Sequence, residues 1–462
     1  MVGVGVFIGT LNSSIVNISL PSIASYFGIK LSSVAWVVMA YLLTASSLLL
    51  VFGKLADIVG RKIIYTIGML VFTFGTFLCS VSFGIDQLIV FRVMQAIGGS
   101  MIVSNSVALI TSSFPQKERG KALGVLGTIV CFGLTCGPLL GGFILEHFSW
   151  RWIFYLNIPL GVLGFFLSLF ILKKERIIFL GKRFDFKGAL FFCCALILLL
   201  LALNYGKDWG WVSPKIQWFF VGFLFFSTLF ILTESKNPEP IINLNLFKNN
   251  IFCICNVCVF LTYLAHLSVV FLMPFYLTKV LEVSPSKMGL ILITIPATLS
   301  IIAPFAGWAS DKIGTKLLTS FGLVVAGFAI FSFLGLKTYS SYWDVVIRLF
   351  ILGIGMGMFY SPNNSAIMGS VKKDSLGLAG GLLATMRNVG MVFGIAISST
   401  IFTIRESFYF KIFSQQKISE ANIGKFAFTH AFHDVYLITG AICILAAVLS
   451  FLRKEVDTEV KA

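Results

Sequence analysis

The chain has 462 residues, of which 58% are hydrophobic and 12% are charged, and its mean hydropathy is +0.95. Soluble domains contain about 45–50% apolar and about 25% charged residues, so this composition excludes a soluble globular protein and predicts an all-α membrane protein. The net charge of +16 requires no nucleic-acid partner, because Lys and Arg collect in the cytoplasmic loops of membrane proteins.

Fourteen apolar segments are long enough to cross a bilayer, which takes about 20 helical residues. With both termini in the cytoplasm, 21 of the 35 Lys and Arg residues fall on the cytoplasmic side, as the positive-inside rule requires. We therefore expect a multi-pass protein of the cell (inner) membrane, surrounded by the lipid bilayer. In chain order the segments span residues 2–22, 32–53, 63–83, 87–110, 121–145, 152–172, 188–206, 216–233, 250–278, 287–308, 317–336, 345–368, 376–404 and 431–452.

The loop between the second and third segments carries a Gly-x3-Asp-x2-Gly pattern that recurs 254 residues later. Internal repeats at half-chain distance are typical of secondary transporters, which are built from duplicated helix bundles. The recurrence therefore predicts two pseudo-symmetric bundles. The pattern comprises Gly53, Asp57 and Gly60 with Arg61 in the first copy, and Gly307, Asp311 and Gly314 in the second.

We interpret each copy of this loop motif as a latch at the cytoplasmic face. Asp57 can cap or neutralise the positive N-terminus of the third segment. Gly53 and Gly60 permit close packing and left-handed turn geometry, and Arg61 keeps the loop in the cytoplasm. The alternative is a merely soluble turn, which one copy would allow but two copies in register disfavour.

The repeat also divides the chain into three units. Segments one to six form an N-terminal six-helix bundle in residues 1–173, and segments nine to fourteen form a C-terminal bundle in residues 241–462. Residues 174–240 hold a basic loop and two inserted segments without a counterpart. The matched positions outside the loop are Arg92 with Arg348, Gly133 with Gly390, and Gly137 with Gly394.

The fifth segment concentrates four glycines around one proline. Glycines let the backbone of a neighbouring helix approach closely, and a proline removes a backbone donor and permits a bend. We therefore expect this helix to act as a compliant gate against its pseudo-symmetric partner. The alternative is a tight packing face with no role in transport direction. The residues concerned are Gly133, Gly137, Pro138, Gly141 and Gly142.

On four stretches the sequence resembles the major facilitator superfamily, and more narrowly its fourteen-span drug:proton antiporters of the EmrB/QacA type. The stretches are residues 11–21, 53–62, 133–142 and 150–159. The resemblance implies the major facilitator fold of two six-helix bundles plus two inserted helices. It also implies that residues 133–142 are the antiporter motif, and hence that transport is export.

The same resemblance bears on two polar residues of the first bundle. Arg92 matches the family's fourth-span arginine that is implicated in proton transfer, although a structural role is an equal alternative. Asn12 stands where related members often carry an aspartate for cation recognition or proton coupling. Because an asparagine cannot titrate, the coupling group must lie elsewhere, and the candidates are His266, Glu146 and Asp434. Histidine has an unperturbed pKa of about 6.5, which suits proton exchange near neutral pH.

Polar side chains at membrane depth define the candidate substrate and proton pathway. They need partners or water, and about half of them could simply join helices to one another. Arg387 is the deepest cation, about 16 Å along its helix and close to the bilayer midplane. An unpaired cation and the absent acid favour neutral or anionic substrates. The pathway residues are Asn12, Asn17, Arg92, Gln95, His266, Asn363, Arg387 and Asn388.

Together these features predict a secondary active transporter that exports small amphiphilic compounds (multidrug efflux) by proton antiport with alternating access. The alternatives are a dedicated exporter of one endogenous metabolite, lipid or peptide, and a non-transporting membrane receptor. We expect no enzymatic activity, because no nucleophile–base or metal-ligand spacing occurs in the segments. No cofactor or metal is expected. The expected partners are the substrate, protons and lipid, and docking of a periplasmic adaptor is left open.

Overall fold

A computed structural model describes residues 1–115, 118–172, 185–210, 212–237, 244–372, 376–415 and 420–453. Helices account for nearly all of this part of the chain. The first bundle contains α1 (Val2–Phe27), α2 (Leu31–Val59), α3 (Arg61–Ser80), α4 (Ile85–Ser113), α5 (Arg119–His147) and α6 (Trp152–Ile171), followed by α7 (Phe186–Trp209) and α8 (Pro214–Lys236). The second contains α9 (Asn250–Lys279), α10 (Pro285–Ile313), α11 (Thr315–Ser332), α12 (Tyr342–Gly369), α13 (Leu376–Ser414) and α14 (Glu420–Leu452).

Thirteen helices of the described chain are long and apolar enough to cross a membrane. The remaining helix, α7, contains the shorter apolar stretch Phe186–Leu199. The fold is therefore all-helical with about thirteen to fourteen spanning helices, and the count of fourteen with one inserted pair stays a prediction. The basic loop at residues 173–184 and the linker at 238–243 lie outside the described residues, so the three-unit division stays a prediction too.

Equivalent glycines bring equivalent helices together in the two bundles. A Cβ atom added to Gly98 of α4 would lie 2.7 Å from the carbonyl oxygen of Gly68 in α3. A Cβ atom added to Gly355 of α12 would lie 2.7 Å from the carbonyl oxygen of Gly322 in α11. Such contacts leave no room for a side chain, so each pair of backbones packs directly, as the small residues of membrane helices allow. The duplication seen in the loop motif thus extends into the packing.

The two copies of the loop motif form the same turn. Gly60 joins α2 to α3 with a φ of 109°, and Gly314 joins α10 to α11 with a φ of 84°. Both values lie in the region that favours glycine. In each copy the first glycine faces a neighbouring helix of its own bundle. Gly53 lies near Ser104 of α4, and Gly307 lies near Ser361 of α12. We call the end of the molecule that carries these turns the loop-motif end.

The expectation that Asp57 caps α3 is wrong. The helix begins after Gly60, and no side chain caps its first turn. Asp57 instead lies on the last turn of α2, where its Oδ1 accepts hydrogen bonds from Arg61 Nε at 3.2 Å and Nη2 at 2.9 Å. The carboxylate therefore pairs across the turn with a cation four residues away. Thr315 occupies the position of Arg61 in the second copy, so that copy lacks the equivalent pair.

Two helices are longer than their apolar segments predict. The segment 376–404 becomes the 39-residue helix α13, and the segment 431–452 becomes the 33-residue helix α14. At 1.5 Å per residue α13 is about 58 Å long, whereas the hydrocarbon core is about 30 Å thick. Near its polar end, Arg405 on α13 forms a salt bridge with Asp434 on α14. Asp434 and Glu406 lie within these helices, beyond the apolar part of α13 in the case of Glu406.

The helix pair α7–α8 packs on the outside of the bundles, where α7 contacts α2 and α13. The Cys193 thiol donates to the carbonyl oxygen of Ser47 at 3.2 Å, and the rings of Tyr205 and Trp36 lie 5.3 Å apart. These contacts hold α7 beside the junction of the two bundles.

We predict that Gly98→Ala destabilises the protein, because its Cβ would collide with the backbone of Phe72 and Gly68. The overpacking should lower the free energy of unfolding by about 1–3 kcal/mol. Gly9→Ala in α1 is the matched control, since no atom lies within 4 Å of its added Cβ. Thermal unfolding in detergent measures both, and equal transition temperatures for the two variants would contradict this packing.

Candidate transport pathway

Arg92 is enclosed within the N-terminal bundle, with only 1% of its surface exposed. Its Nε donates to the carbonyl oxygen of Val37 in α2 at 3.0 Å. Its guanidinium lies 4.3 Å from the ring centre of Tyr41, a cation–π contact. Among the described salt bridges none includes Arg92. Neutral dipoles and an aromatic ring therefore stabilise this charge.

Gln95 completes the shell of Arg92. Its Oε1 accepts from Arg92 Nη1, and its Nε2 donates to Asn12 Oδ1 at 3.2 Å and to Thr76 Oγ1 at 2.7 Å. Asn12 Oδ1 also lies 3.5 Å from Arg92 Nη1. Four helices thus meet in one polar network, which brings together three of the predicted pathway residues. An aspartate in place of Asn12 would face Arg92 directly.

The other predicted asparagines lie apart from this network. Asn17 Nδ2 donates to the carbonyl oxygen of Ser13 in its own helix at 3.0 Å. Asn363 Nδ2 donates to the carbonyl oxygen of Cys255 at 3.3 Å and so links α12 to α9. The Oδ1 atoms of Asn17 and Asn363 are buried without a partner. Asn388 is buried on α13.

His266 and Arg387 belong to a second cluster, in the C-terminal bundle. Tyr263 and His266 lie on α9, Tyr360 on α12 and Arg387 on α13. The rings of Tyr263 and Tyr360 are stacked with centres 4.8 Å apart, and the Arg387 Cζ atom lies 6.0 Å from the Tyr263 ring centre. All four side chains are half-buried. We call these four residues the tyrosine–arginine cluster.

Sequence reasoning missed the aromatic members of both clusters. Tyr263 and His266 are three residues apart, which is the spacing of neighbours on one helix face. This spacing could have predicted Tyr263 as a neighbour of His266. Tyr360 has the same spacing from Asn363, whereas Tyr41 and Thr76 carry no comparable signal, because each reaches Arg92 or Gln95 from another helix.

The glycine-rich motif of α5 has two packing faces. Along one face, Gly133, Gly137 and Gly141 lie against α1, where an added Cβ would collide with side chains such as Ser14, 2.5 Å from Gly137, and Ile18, 2.6 Å from Gly141. In the second bundle Gly390 of α13 packs on α9, where an added Cβ would lie 2.5 Å from the carbonyl oxygen of Phe260. This face holds each bundle together.

The second face of α5 contacts the other bundle. A Cβ on Gly142 would lie 2.5 Å from the carbonyl oxygen of Pro285 at the start of α10, and a Cβ on Gly289 would collide with the carbonyl oxygen of Pro138. One helical turn further, Glu146 Oε2 accepts a hydrogen bond from the backbone N–H of Ser286 at 2.9 Å. The bundles thus meet backbone to backbone at the end opposite the loop motif.

A second contact between the bundles lies toward the loop-motif end, where α2 packs on α13. There a Cβ on Gly381 would lie 2.6 Å from Leu50 Cδ2. The two bundles are therefore joined by helix pairs at opposite ends of the molecule.

The sequence profile described as Major Facilitator Superfamily matches residues 2–395 and, in a second match, residues 255–462. The chain belongs to the major facilitator superfamily. It is 36% identical to the riboflavin transporter RibZ of Clostridioides difficile (strain 630), an alignment that covers 98% of this chain and 96% of RibZ. It is 31% identical to the multidrug transporter protein MdtP of Bacillus subtilis (strain 168), with 87% and 74% covered.

Solved structures support the fold of this superfamily member. A bacterial homolog of the human lysosomal transporter Spinster, in an inward-facing and occupied conformation, superimposes with a TM-score of 0.68 over 98% of this chain and 95% of that one, at 15% identity. The D-xylose-proton symporter superimposes with a TM-score of 0.65 over 98% and 96% of the two chains, at 14% identity. The fold and the relatives are those of membrane transporters rather than enzymes.

We predict that Gln95→Leu destabilises the N-terminal bundle, because it removes an acceptor of Arg92 and the hydrogen bond to Thr76. The loss should be about 1–3 kcal/mol of unfolding free energy, as expected for a buried polar group left without a partner. Gln217→Leu, at an exposed position on α8, is the matched control. Thermal unfolding of both purified variants measures the effect, and a Gln95→Leu transition at the wild-type temperature would show that the network contributes nothing.

Proposed function

We propose that this transporter carries a small, planar solute without positive charge by alternating access, and that riboflavin is its first candidate substrate. RibZ, whose name states riboflavin transport, aligns with nearly the whole of both chains. The observation that carries the proposal is the charge pattern of the spanning helices. Arg92 and Arg387 lie at membrane depth, and neither takes part in a described salt bridge.

The described acid–cation pairs are Asp57–Arg61, Asp344–Arg348, Arg405–Asp434 and Glu282–Lys425, and none of them includes Arg92 or Arg387. In the low dielectric of a membrane protein, an arginine without a counter-ion repels a cationic solute more strongly than it would in water. A neutral or anionic solute avoids this cost. The pathway therefore favours a flavin over a lipophilic cation.

Alternating access requires the two bundles to separate at one end while they stay joined at the other. We assign two contacts between the bundles to this cycle, that of Gly142 with Pro285 and that of Gly381 with Leu50. Each contact closes one end of the pathway while the other end is open. The loop motif then acts as the latch at the cytoplasmic end, and both termini lie in the cytoplasm. If protons drive the cycle, Glu146 is the best-placed candidate, because its carboxylate joins the bundles through Ser286.

The second candidate function is multidrug efflux by proton antiport, in the manner of the fourteen-span drug:proton antiporters. The glycine motif of α5 and the similarity to MdtP favour it. Its coupling group would be His266 or Glu146, since Asp434 is engaged with Arg405. Docking of a periplasmic adaptor is expected only for this second candidate function.

Transport by the purified protein in liposomes separates the two candidates. We expect saturable riboflavin flux above that of empty liposomes, and no movement of the cationic dye ethidium. Ethidium flux that follows an imposed pH gradient, without riboflavin flux, would support multidrug efflux instead. If neither probe moves under any gradient, a receptor role becomes the better account.

We further predict that Gly142→Ala abolishes riboflavin flux, because the new methyl group would push α5 away from α10 and prevent that end from closing. Gly124→Ala in the same helix is the matched control, since nothing lies within 4 Å of its added Cβ. Both variants should reach the membrane, which surface labelling checks. Wild-type flux through Gly142→Ala would contradict the assignment of this contact as a closure.

A further inference from the structure

We propose that the tyrosine–arginine cluster binds the ring of the transported solute, and that this ring is a planar heteroaromatic system without positive charge. The proposal rests on the proposed transport function and assigns its recognition site to one bundle. It names Tyr263 as the stacking surface and Arg387 as the group that selects by charge.

The ring geometry of the cluster forms a flat surface with a perpendicular edge. Tyr263 and Tyr360 are stacked with an interplanar angle of 17°. The His266 ring stands at 90° to Tyr263 and at 88° to Tyr360, with centre distances of 6.4 and 6.5 Å. A third flat ring can extend such a stack, and stacking of a heteroaromatic base on an aromatic side chain is worth about 1–3 kcal/mol.

Two polar atoms of the same cluster, His266 Nδ1 and Arg387 Nε, are buried without a hydrogen-bond partner. Buried polar atoms are nearly always paired in folded proteins, so we assign the partners of these two atoms to a ligand. Arg387 and Tyr360 can donate hydrogen bonds, and His266 can donate or accept according to its tautomer. A ring with carbonyl oxygens and ring nitrogens supplies the matching groups.

The N-terminal bundle shows the contrasting arrangement. There Arg92 Nε is bonded to Val37 and Nη1 to Gln95, and the whole side chain is enclosed. Arg387 is instead half-buried, and its Nε has no protein partner. The two pseudo-symmetric bundles therefore use their membrane arginines differently. The first stabilises its own bundle, and the second is left for the solute.

Charge restricts what can occupy the cluster. The helix α9 has no acidic residue, and the acidic residues of α12 and α13 are Asp344 and Glu406. Asp344 is sixteen residues from Tyr360 and Glu406 is nineteen from Arg387, which correspond to about 24 and 28 Å of helix. No carboxylate on the three helices of the cluster can therefore neutralise Arg387, so the cluster should exclude a cation and accept an anionic or neutral ring.

Equilibrium binding to the full-length protein in nanodiscs tests this assignment. The radiolabelled probes are riboflavin, its phosphate ester flavin mononucleotide, and the lipophilic cation tetraphenylphosphonium. The variants are Tyr263→Leu, which removes the stack, Tyr263→Phe, which keeps the ring, and Arg387→Gln. Tyr205→Leu is the matched control, because Tyr205 is also stacked, on Trp209 of α7, with ring centres 4.5 Å apart.

We expect Tyr263→Leu and Arg387→Gln to weaken riboflavin binding about tenfold, which is the loss of one stacking or charged hydrogen-bond contact. Tyr263→Phe and Tyr205→Leu should bind as the wild type does. Arg387→Gln should weaken binding of the phosphate ester most and should increase binding of tetraphenylphosphonium.

Wild-type riboflavin affinity in both Tyr263→Leu and Arg387→Gln, with riboflavin transport intact, would overturn the cluster as the binding site and leave the proposed function standing. Tetraphenylphosphonium binding that the cluster variants abolish would overturn the charge selection. A wild-type protein that binds none of the three probes would overturn both this assignment and the proposed function.

Discussion

Helix backbones in this protein come together at glycines, and the rest of the architecture depends on these contacts. In a bilayer the lipid tails are as apolar as the helix surfaces, so close packing must supply what water-driven burial supplies in a soluble protein. Gly98 and Gly355 join neighbouring helices within each bundle, and Gly142 joins one bundle to the other. The same chemical device therefore builds the rigid units and forms the contact between them.

The two kinds of contact differ in what surrounds them. Within each bundle, large buried side chains such as Phe72 beside Gly98 add to the packing. Between the bundles, Gly142 meets the backbone of the segment from Pro285 to Gly289, and Glu146 accepts a hydrogen bond from the backbone N–H of Ser286. Under the proposed function, this backbone contact is one of the two closures that form and break in the transport cycle.

The polar residues divide along the same lines. Arg92 Nε donates a hydrogen bond to a residue of its own bundle. Arg387 lies beside the stacked tyrosines, and its Nε has no hydrogen-bond partner. Under our proposal, Arg92 has a structural role in its bundle and Arg387 has a role in recognising the solute. The similarity to both a riboflavin transporter and a multidrug transporter fits a shared frame whose specificity depends on few side chains.

Much of this frame could be predicted from sequence, because glycine spacing and loop repeats are local. The positive φ at Gly60 and Gly314 and the packing at Gly133 follow from such local signals. The partner of Asp57 could not be predicted, because the same sequence allows its carboxylate either to cap α3 or to pair with Arg61. The stack of Tyr263 on Tyr360 depends on two helices far apart in the chain. The full length of α13 could not be predicted from hydropathy, because its last turns from Arg405 to Ser414 include charged and polar residues.

The central claim is that the bundles rock as two rigid units about the solute site. The most direct test is a pair of distance distributions by electron spin resonance, from labels introduced as unnatural amino acids so that the nine native cysteines can stay. One pair joins His147 and Lys287 at the α5–α10 contact, and the other joins Val59 and Leu376 at the loop-motif end. We predict two populations of molecules, both in the absence and in the presence of riboflavin. In one population the first distance is long and the second is short, and in the other population the reverse holds. Distances that change together, or one unchanging population at both ends, would contradict the account.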